Sequence, residues 1–306
     1  MPLSAAHRLA AADLLRQRSL ANLLQHLASA GVDVLVIKGA ALSALLYDEP
    51  HVRERCDVDL LVRRDQLDAA EAVILGRGYA RQIEPDSVVA SGQRHYAPPS
   101  PAEDIVDLHW RAANPLAFER VLDFDVVWPR RIPVPTLGPA AATLSIPDAL
   151  LFACVHRVAH HADSAERRWL DDIDRLVRRL SEADRTQLVE EARRTKTCSV
   201  CARSLELAQS SFDTPVDGLV PALRAANAGS EPSAAFIGGT QAFASIVASD
   251  LRESGWATRV ALVRDHLLPP MSYMRARYPR WPAMFLPLAY AVRVAFGAPA
   301  WFRRQP

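Results

Sequence analysis

The sequence predicts an α+β protein in which an N-terminal mixed-sheet domain is followed by an all-helical domain. Short apolar runs alternate with amphipathic helical segments in the first part of the chain, which is typical of a sheet with covering helices. Five prolines then interrupt the pattern between Pro129 and Pro147, which predicts a linker, and helical periodicity prevails beyond Asp148. We therefore predict an α/β domain over residues 1–140 and a helical domain over residues 141–306.

The elements of the first domain follow from apolar spacing and from breaker residues. Leucines recur along one stripe of residues 5–30, which predicts a helix that Gly31 ends. The apolar runs at 32–37 and 57–62 are typical of buried strands. The other predicted elements are helices over 40–47 and 64–76 and strands over 79–83, 87–96 and 104–110. This β-α-β-α-β-β-β order predicts a mixed sheet.

The second domain is predicted to consist of helices joined by short connections. The predicted helices cover residues 149–162, 168–180, 184–194, 199–211, 219–227, 234–253 and 259–266. Residues 285–302 are mostly apolar but contain Pro287, Arg293 and Pro299, which argues against a spanning helix. A buried C-terminal helix is the first interpretation of this stretch, and a membrane-surface segment is the alternative.

Composition limits the classes of function. The 306 residues carry a net charge of +1, which gives no overall basic field for a general nucleic-acid partner. The N-terminal residues do not have the pattern of a signal peptide, and no transmembrane segment is expected. Four scattered cysteines do not form a disulfide framework, and Cys198 with Cys201 is expected to be a reduced pair in the core. A cytoplasmic location is expected.

Two aspartates interrupt the apolar run at 57–62. If this run is a strand, Asp57 and Asp59 point to one face, roughly 7 Å apart along the sheet. Two such carboxylates repel each other, and a hard cation such as Mg²⁺ would relieve the repulsion. The turn Lys38-Gly39 precedes them and opens a helix, where backbone N–H groups and the lysine can receive phosphate.

Other polar residues extend this candidate site. Asp107 interrupts another apolar strand and would complete a carboxylate cluster if that strand lies beside 57–62, about 5 Å away. His109 shares its face and is expected to be a neutral hydrogen-bonding group. His156 and His160 lie four apart on a predicted helix, where a structural role is favoured over zinc. Asp172 is expected either to pair with these histidines or to face solvent.

These motifs together resemble the uncharacterised bacterial nucleotidyltransferase family of the polymerase-beta-type superfamily. The resemblance rests on Ile37-Lys-Gly39, on Arg55 and on Asp57-Val-Asp-Leu-Leu-Val62. Matches to Val106-Asp-Leu-His-Trp110, to His156 and to Trp169-Leu-Asp-Asp-Ile173 follow in the family's order.

The resemblance implies an N-terminal nucleotidyltransferase-like fold and a role for each matched residue. Asp57 and Asp59 would bind one or two Mg²⁺ ions, with Mn²⁺ as the alternative ion. Asp107 would be the third metal ligand and would help to deprotonate an attacking hydroxyl. The residues implied in nucleotide binding are Lys38, Gly39, Ala40, Ser43 and Arg55. Ala40 stands where the family has a second glycine or serine, so a hydroxyl contact to phosphate is lost there unless Ser43 replaces it.

The implied reaction moves a nucleotidyl group from an NTP, such as ATP, to an acceptor and releases pyrophosphate. The acceptor is unidentified and is expected to be a small molecule, a peptide or a protein, bound by the helical domain. His109, His156, His160 and Asp172 are candidate accessory residues. Two other functions stay open: a non-catalytic nucleotide- or partner-binding module with the same fold, and a glycosyltransferase that uses Asp-x-Asp to bind a sugar nucleotide.

Overall fold

The structure, a computed structural model, confirms the predicted α+β class. It describes residues 5–53, 55, 57–82, 92–227, 229–239, 243–253 and 255–301. The ends of the predicted strands at residue 83 and at 87–91, and Cys56, lie outside the described residues. Cys154, Cys198 and Cys201 are buried free thiols, as expected for a reduced core pair at 198 and 201.

The N-terminal part forms a mixed sheet with the predicted order of elements. Its helices are α1 (Ala5–Ser29), α2 (Lys38–Leu46) and α3 (Leu67–Gly76). Its strands are β1 (Val34–Ile37), β2 (Asp57–Val62), β3 (Ala80–Gln82), β4 (Gln93–Ala97) and β5 (Ile105–His109). Among the described residues these strands are arranged in the order β1-β2-β5-β4-β3, and only β2 and β5 pair in parallel.

The alternation of side chains along the strands divides the core into two layers. Val36 and Leu60 pack with α1 and α3 on one face of the sheet. Leu35 and Leu61, which point the opposite way, pack with the helices that follow the sheet. Asp59 lies two residues before Leu61, so its side chain shares the face that the helical part covers.

The residues predicted as a linker form ordered structure instead. A short helix α4 (Phe124–Val127) precedes strands β6 (Ile132–Pro133) and β7 (Ala142–Thr143), which pair with each other. The turn between them lies against α1, where a Cβ on Gly138 would approach the Cβ of Ala21 to 2.9 Å. The prolines therefore shape a turn that packs on the sheet domain. The division at residue 140 stays a prediction.

The rest of the described chain is helical. Its helices are α5 (Ile146–His160), α6 (Arg167–Val177), α7 (Glu182–Arg194), α8 (Cys198–Phe212), α9 (Leu219–Ala226), α10 (Phe243–Glu253), α11 (Trp256–Leu267), α12 (Met271–Arg277) and α13 (Leu286–Trp301). The prediction of one helix over 234–253 was wrong at its start. Gly238 and Gly239 have φ angles of +89° and +129°, which a helix does not accommodate. No helix within the described ranges is long and apolar enough to cross a membrane.

A buried ion pair joins the sheet part to α6. The guanidinium of Arg53 donates to Asp172, with Nη2–Oδ2 and Nε–Oδ1 distances of 2.6 and 2.9 Å. Arg53 is 8% exposed and Asp172 is 2% exposed. The Tyr47 hydroxyl at the end of α2 lies 3.0 Å from Asp172 Oδ1. Both expectations for Asp172 were therefore wrong. It pairs with Arg53 instead of the histidines, and it is buried instead of facing solvent.

We expect Asp172→Asn to destabilise the protein by about 3–5 kcal/mol, because it leaves the Arg53 guanidinium buried without its counter-charge. The matched control is Asp171→Asn. Asp171 pairs with Arg175 in a partly exposed position, so its loss should cost about 1 kcal/mol or less. Urea denaturation measures both values, and equal costs would contradict the role of the buried pair.

Candidate functional site

A cleft of about 380 Å³ lies between the sheet face that carries Asp59 and helices α5 and α6. The sheet side and α2 contribute Lys38, Gly39, Leu42, Arg53, Arg55, Asp57, Asp59, Gln93 and Asp107. The other side contributes Thr143, Leu144, Ala149, Phe152, Ala153, His156, His160, His161, Arg168, Trp169 and Asp172. Most of the site residues predicted from the sequence therefore line one cleft.

Strand pairing brings the carboxylates together. Asp59 lies directly opposite Asp107 in the parallel β2–β5 ladder, so the strands are adjacent, which was the condition for a carboxylate cluster in the sequence analysis. Asp57 shares their face because it lies two residues before Asp59. One ligand atom each of Asp59, Asp107 and His109 lie within 4.8 Å of one another, so this group can hold a metal ion.

The ammonium group of Lys38 contacts this cluster directly. Its Nζ donates to Asp59 Oδ1 at 2.6 Å, and its backbone has a φ of +54°, which non-glycine residues seldom adopt. Burial alone would raise the pKa of Asp59, but Lys38 and His109 hold that pKa below its usual value. Asp59 is therefore ionised at neutral pH and is shared between a lysine and the cluster.

Two histidines orient the carboxylates. His109 Nε2 lies 2.8 Å from Asp59 Oδ1. An ionised carboxylate only accepts, so this nitrogen carries the proton. Burial and then Lys38 lower the pKa of His109, which keeps it neutral. This matches the neutral hydrogen-bonding role expected for His109. His95, which the sequence did not single out, contacts Asp107 Oδ1 through Nδ1 at 2.5 Å.

Asp57 shows that the cluster has an excess of negative charge. Burial, followed by repulsion from Asp59 and Asp107, raises the pKa of Asp57 to about 6. A cation bound beside Asp57 would reduce this repulsion between the carboxylates. The oxygen-rich cluster fits a hard divalent ion such as Mg²⁺.

The start of α2 forms the second polar part of the cleft. The helix begins at Lys38 without a side-chain cap, so its first N–H groups are available to an anion. A Cβ on Gly39 would lie 3.2 Å from Arg53 Nη1. Glycine at this position therefore lets the helix start pack tightly against the Arg53 guanidinium.

Three residues predicted to bind the nucleotide have other surroundings. Arg55 lines the cleft but pairs with Asp13 at 3.1 Å. Ser43 donates to the carbonyl of Ala40 at 2.9 Å. Neither Ser43 nor Ala40 is among the lining residues.

Aromatic rings form the opposite wall. We call Phe152, His156, His160, His161 and Trp169 the ring cluster. His156 lies at its centre, with ring centroids 5.0 Å from His160 and 5.4 Å from Trp169. Burial and then the charge of Lys38 lower the pKa of His156 well below its usual value and that of His160 to about 3. The histidines of the ring cluster are therefore neutral at neutral pH, and the charge on this side comes from Arg168, whose guanidinium lies 4.5 Å from the centre of the Trp169 ring.

Several of these residues escaped the sequence analysis. Arg53 gives no local signal, because its partner Asp172 is 119 residues away. Trp169 belonged to a recognised motif, but its side chain was not assigned a place. His161 follows a helix end and has no periodic position. The loop that carries it is held by the fully buried Arg157, whose Nη2 lies 2.6 Å from Asp163 Oδ1.

Comparisons with known proteins identify a family that the chain matches. The family model described as "Uncharacterised nucleotidyltransferase" matches residues 2–213. No curated protein matches the chain. A solved structure titled "Crystal structure of an antigenic nucleotidyltransferase-like protein from Paracoccidioides brasiliensis" is similar at 18% identity and a TM-score of 0.46, covering 72% of this chain and 95% of that chain.

We expect Asp57→Asn to stabilise the metal-free protein by roughly 1 kcal/mol at pH 7, because it removes a carboxylate whose charge is disfavoured by burial and by repulsion from Asp59 and Asp107. The pKa of Asp57 is raised on folding, so its cost to stability grows as pH rises from 3.8 to about 6. The gain should therefore be small at pH 4 and complete above pH 6. Thermal melts across this range, with Asp68→Asn on the exposed face of α3 as the control, measure it. A destabilised variant would contradict the repulsion.

Proposed function

Because the chain belongs to the uncharacterised nucleotidyltransferase family, we propose that it transfers a nucleotidyl group from an NTP to an acceptor hydroxyl and releases pyrophosphate. One observation carries the proposal. Three carboxylates on adjacent strands, Asp57, Asp59 and Asp107, share a cleft with the uncapped start of α2. Carboxylates beside a phosphate-binding helix end are the parts that nucleotidyl transfer needs.

We assign the metal to the three carboxylates. Asp57, Asp59 and Asp107 would hold Mg²⁺, with Mn²⁺ as the alternative ion. Bound there, the ion would supply electrostatic stabilisation for the charge that develops on the α-phosphate. His109 holds Asp59 in place through its Nε2–H.

The chain's own groups would bind the triphosphate and remove the proton. The first N–H groups of α2 and the Lys38 ammonium attract the phosphates. Asp107 would accept the acceptor's hydroxyl proton, and His95 orients the carboxylate through its 2.5 Å contact. The acceptor oxygen then forms a bond to the α-phosphorus while the bond to pyrophosphate breaks.

The acceptor is assigned only by class, as a small molecule, a peptide or a protein with a hydroxyl group. Its binding is proposed for the helical part of the chain, of which residues beyond 213 lie outside the family match. The buried free thiols Cys154, Cys198 and Cys201 support a reducing, cytoplasmic location.

Incubation with each α-labelled NTP and Mg²⁺ tests the proposal. We expect pyrophosphate release or label transfer, and a loss of about 10²–10³-fold in Asp59→Asn, because an ionised ligand at the reacting phosphate is removed. Asp68→Asn on the exposed face of α3 is the control.

The outcomes separate the alternative functions. Unchanged activity in Asp59→Asn would overturn the metal-site assignment. NTP binding without turnover would favour a non-catalytic module, and a preference for sugar nucleotides would favour a glycosyltransferase.

A further inference from the structure

The ring cluster contains two buried nitrogen atoms that lack partners. His160 Nε2 and Trp169 Nε1 are buried and have no hydrogen-bond partner among the described residues. Both side chains line the cleft. Buried polar atoms are seldom left unsatisfied in a protein interior, so these two point to a ligand that supplies the missing bonds.

The surroundings of these atoms define the chemistry of that ligand. The rings of His161 and Trp169 stack at 4.2 Å and that of His156 packs edge-on against Trp169. The cluster therefore presents ring edges as well as apolar surface from Phe152 and Ala153. An uncharged heterocycle with donors and acceptors on its edge fits this wall, whereas phosphate fits the opposite wall, where Lys38 and the start of α2 lie.

We infer that the ring cluster binds the nucleobase of the NTP, with His160 Nε2 and Trp169 Nε1 bonding to its edge. This inference rests on the proposed function. It places the base against α5 and α6 and the triphosphate against α2, so the nucleotide would span the cleft. The acceptor must then enter beside the nucleotide and not through the ring cluster.

Calorimetric titration of the protein with α,β-methylene NTPs in the presence of Mg²⁺ tests the inference. These analogues cannot be cleaved between the α- and β-phosphates. Inorganic tripolyphosphate is the probe without a base. We expect Trp169→Phe, which keeps an aromatic ring but removes the N–H donor, to weaken NTP binding about five- to tenfold and to leave tripolyphosphate binding unchanged. His160→Phe should behave alike. Trp128→Phe, outside the cleft lining, is the matched control, and thermal melts verify that each variant folds.

The results distinguish this inference from the proposed function. NTP affinity that is unchanged in both variants, with transfer activity intact, would overturn the placement of the base only. A wild-type protein that binds neither NTP analogues nor tripolyphosphate would overturn both.

A separate feature lies beyond the family match. Residues 255–306 contain eight arginines and one aspartate, which gives this segment a net charge of +7. Residues 1–254 have a net charge of −6, so the whole chain has a net charge of +1. On α11, Trp256, Val260, Val263 and Leu267 are spaced along one helical face and are 80, 50, 43 and 41% exposed. An apolar helix face beside concentrated positive charge is typical of interfacial membrane binding.

We propose that this C-terminal segment docks on an anionic lipid surface through the exposed face of α11. Met284, just before α13, and Leu288 on α13 add exposed apolar surface. Arg275 and Arg280, which lie between α11 and α13 in the sequence, are also exposed. The exposed apolar side chains of α11 can insert among acyl chains, but the phosphate backbone of a nucleic acid offers them no apolar surface to contact. The same charge therefore favours lipid over nucleic acid.

Co-sedimentation of the full chain with vesicles tests the docking. We expect binding to vesicles with 30% phosphatidylglycerol, loss of binding in pure phosphatidylcholine, and weakening at high salt. The double variant Trp256→Ser/Val260→Ser should bind at least about fivefold less. Leu14→Ser/Leu15→Ser, at exposed leucines of α1, is the matched control. Absence of vesicle binding, a preference for duplex DNA, or self-association that buries α11 would each overturn the proposal.

Discussion

The ion pair between Arg53 and Asp172 is the contact on which the geometry of the cleft depends. It connects the segment before β2 to α6 across the two halves of the chain, and both side chains are buried. Charges at such positions are costly unless they are paired, so the pair holds only in one relative arrangement of α2, β2 and α6. The carboxylates and the ring cluster therefore face each other at a fixed separation.

Charge is distributed unevenly across this cleft. The sheet side holds Asp57, Asp59 and Asp107, and burial followed by repulsion from the other two raises the pKa of Asp57 to about 6. Lys38 neutralises part of that charge from a left-handed backbone position. The histidines of the opposite wall are kept neutral by their lowered pKa values, and Arg168 lies at the edge of their ring cluster. A cleft with this contrast suits a ligand that is charged at one end and uncharged at the other.

The sequence predicted the carboxylate side because its rules are local. Alternation along a strand places Asp57 and Asp59 on one face, and the apolar run at 104–110 places Asp107 on another strand, whose position beside the first is a condition and not a prediction. Burial of the flanking apolar residues fixes the face of Asp107, whereas the pairing of β2 with β5 and the register that sets Asp59 directly opposite Asp107 come from the structure. The Lys38-Gly39 turn was placed at the start of a helix, as the structure has it.

The ring cluster and the Arg53–Asp172 ion pair could not be predicted from local spacing in this way. The partner of Arg53 is chosen by how α6 packs on α2, and no spacing rule connects residues so far apart. His161 and Trp169 meet because the fully buried Arg157 ties down the loop between α5 and α6. The glycines that end the predicted 234–253 helix were visible, but their positive φ angles were not.

Anomalous diffraction from crystals soaked with Mn²⁺ and an α,β-methylene NTP is the most direct test of the central claim. We expect an anomalous peak among Asp57, Asp59 and Asp107, with the phosphates at the start of α2. Mn²⁺ bound elsewhere, or a nucleotide whose phosphates lie away from both Asp59 and α2, would contradict it.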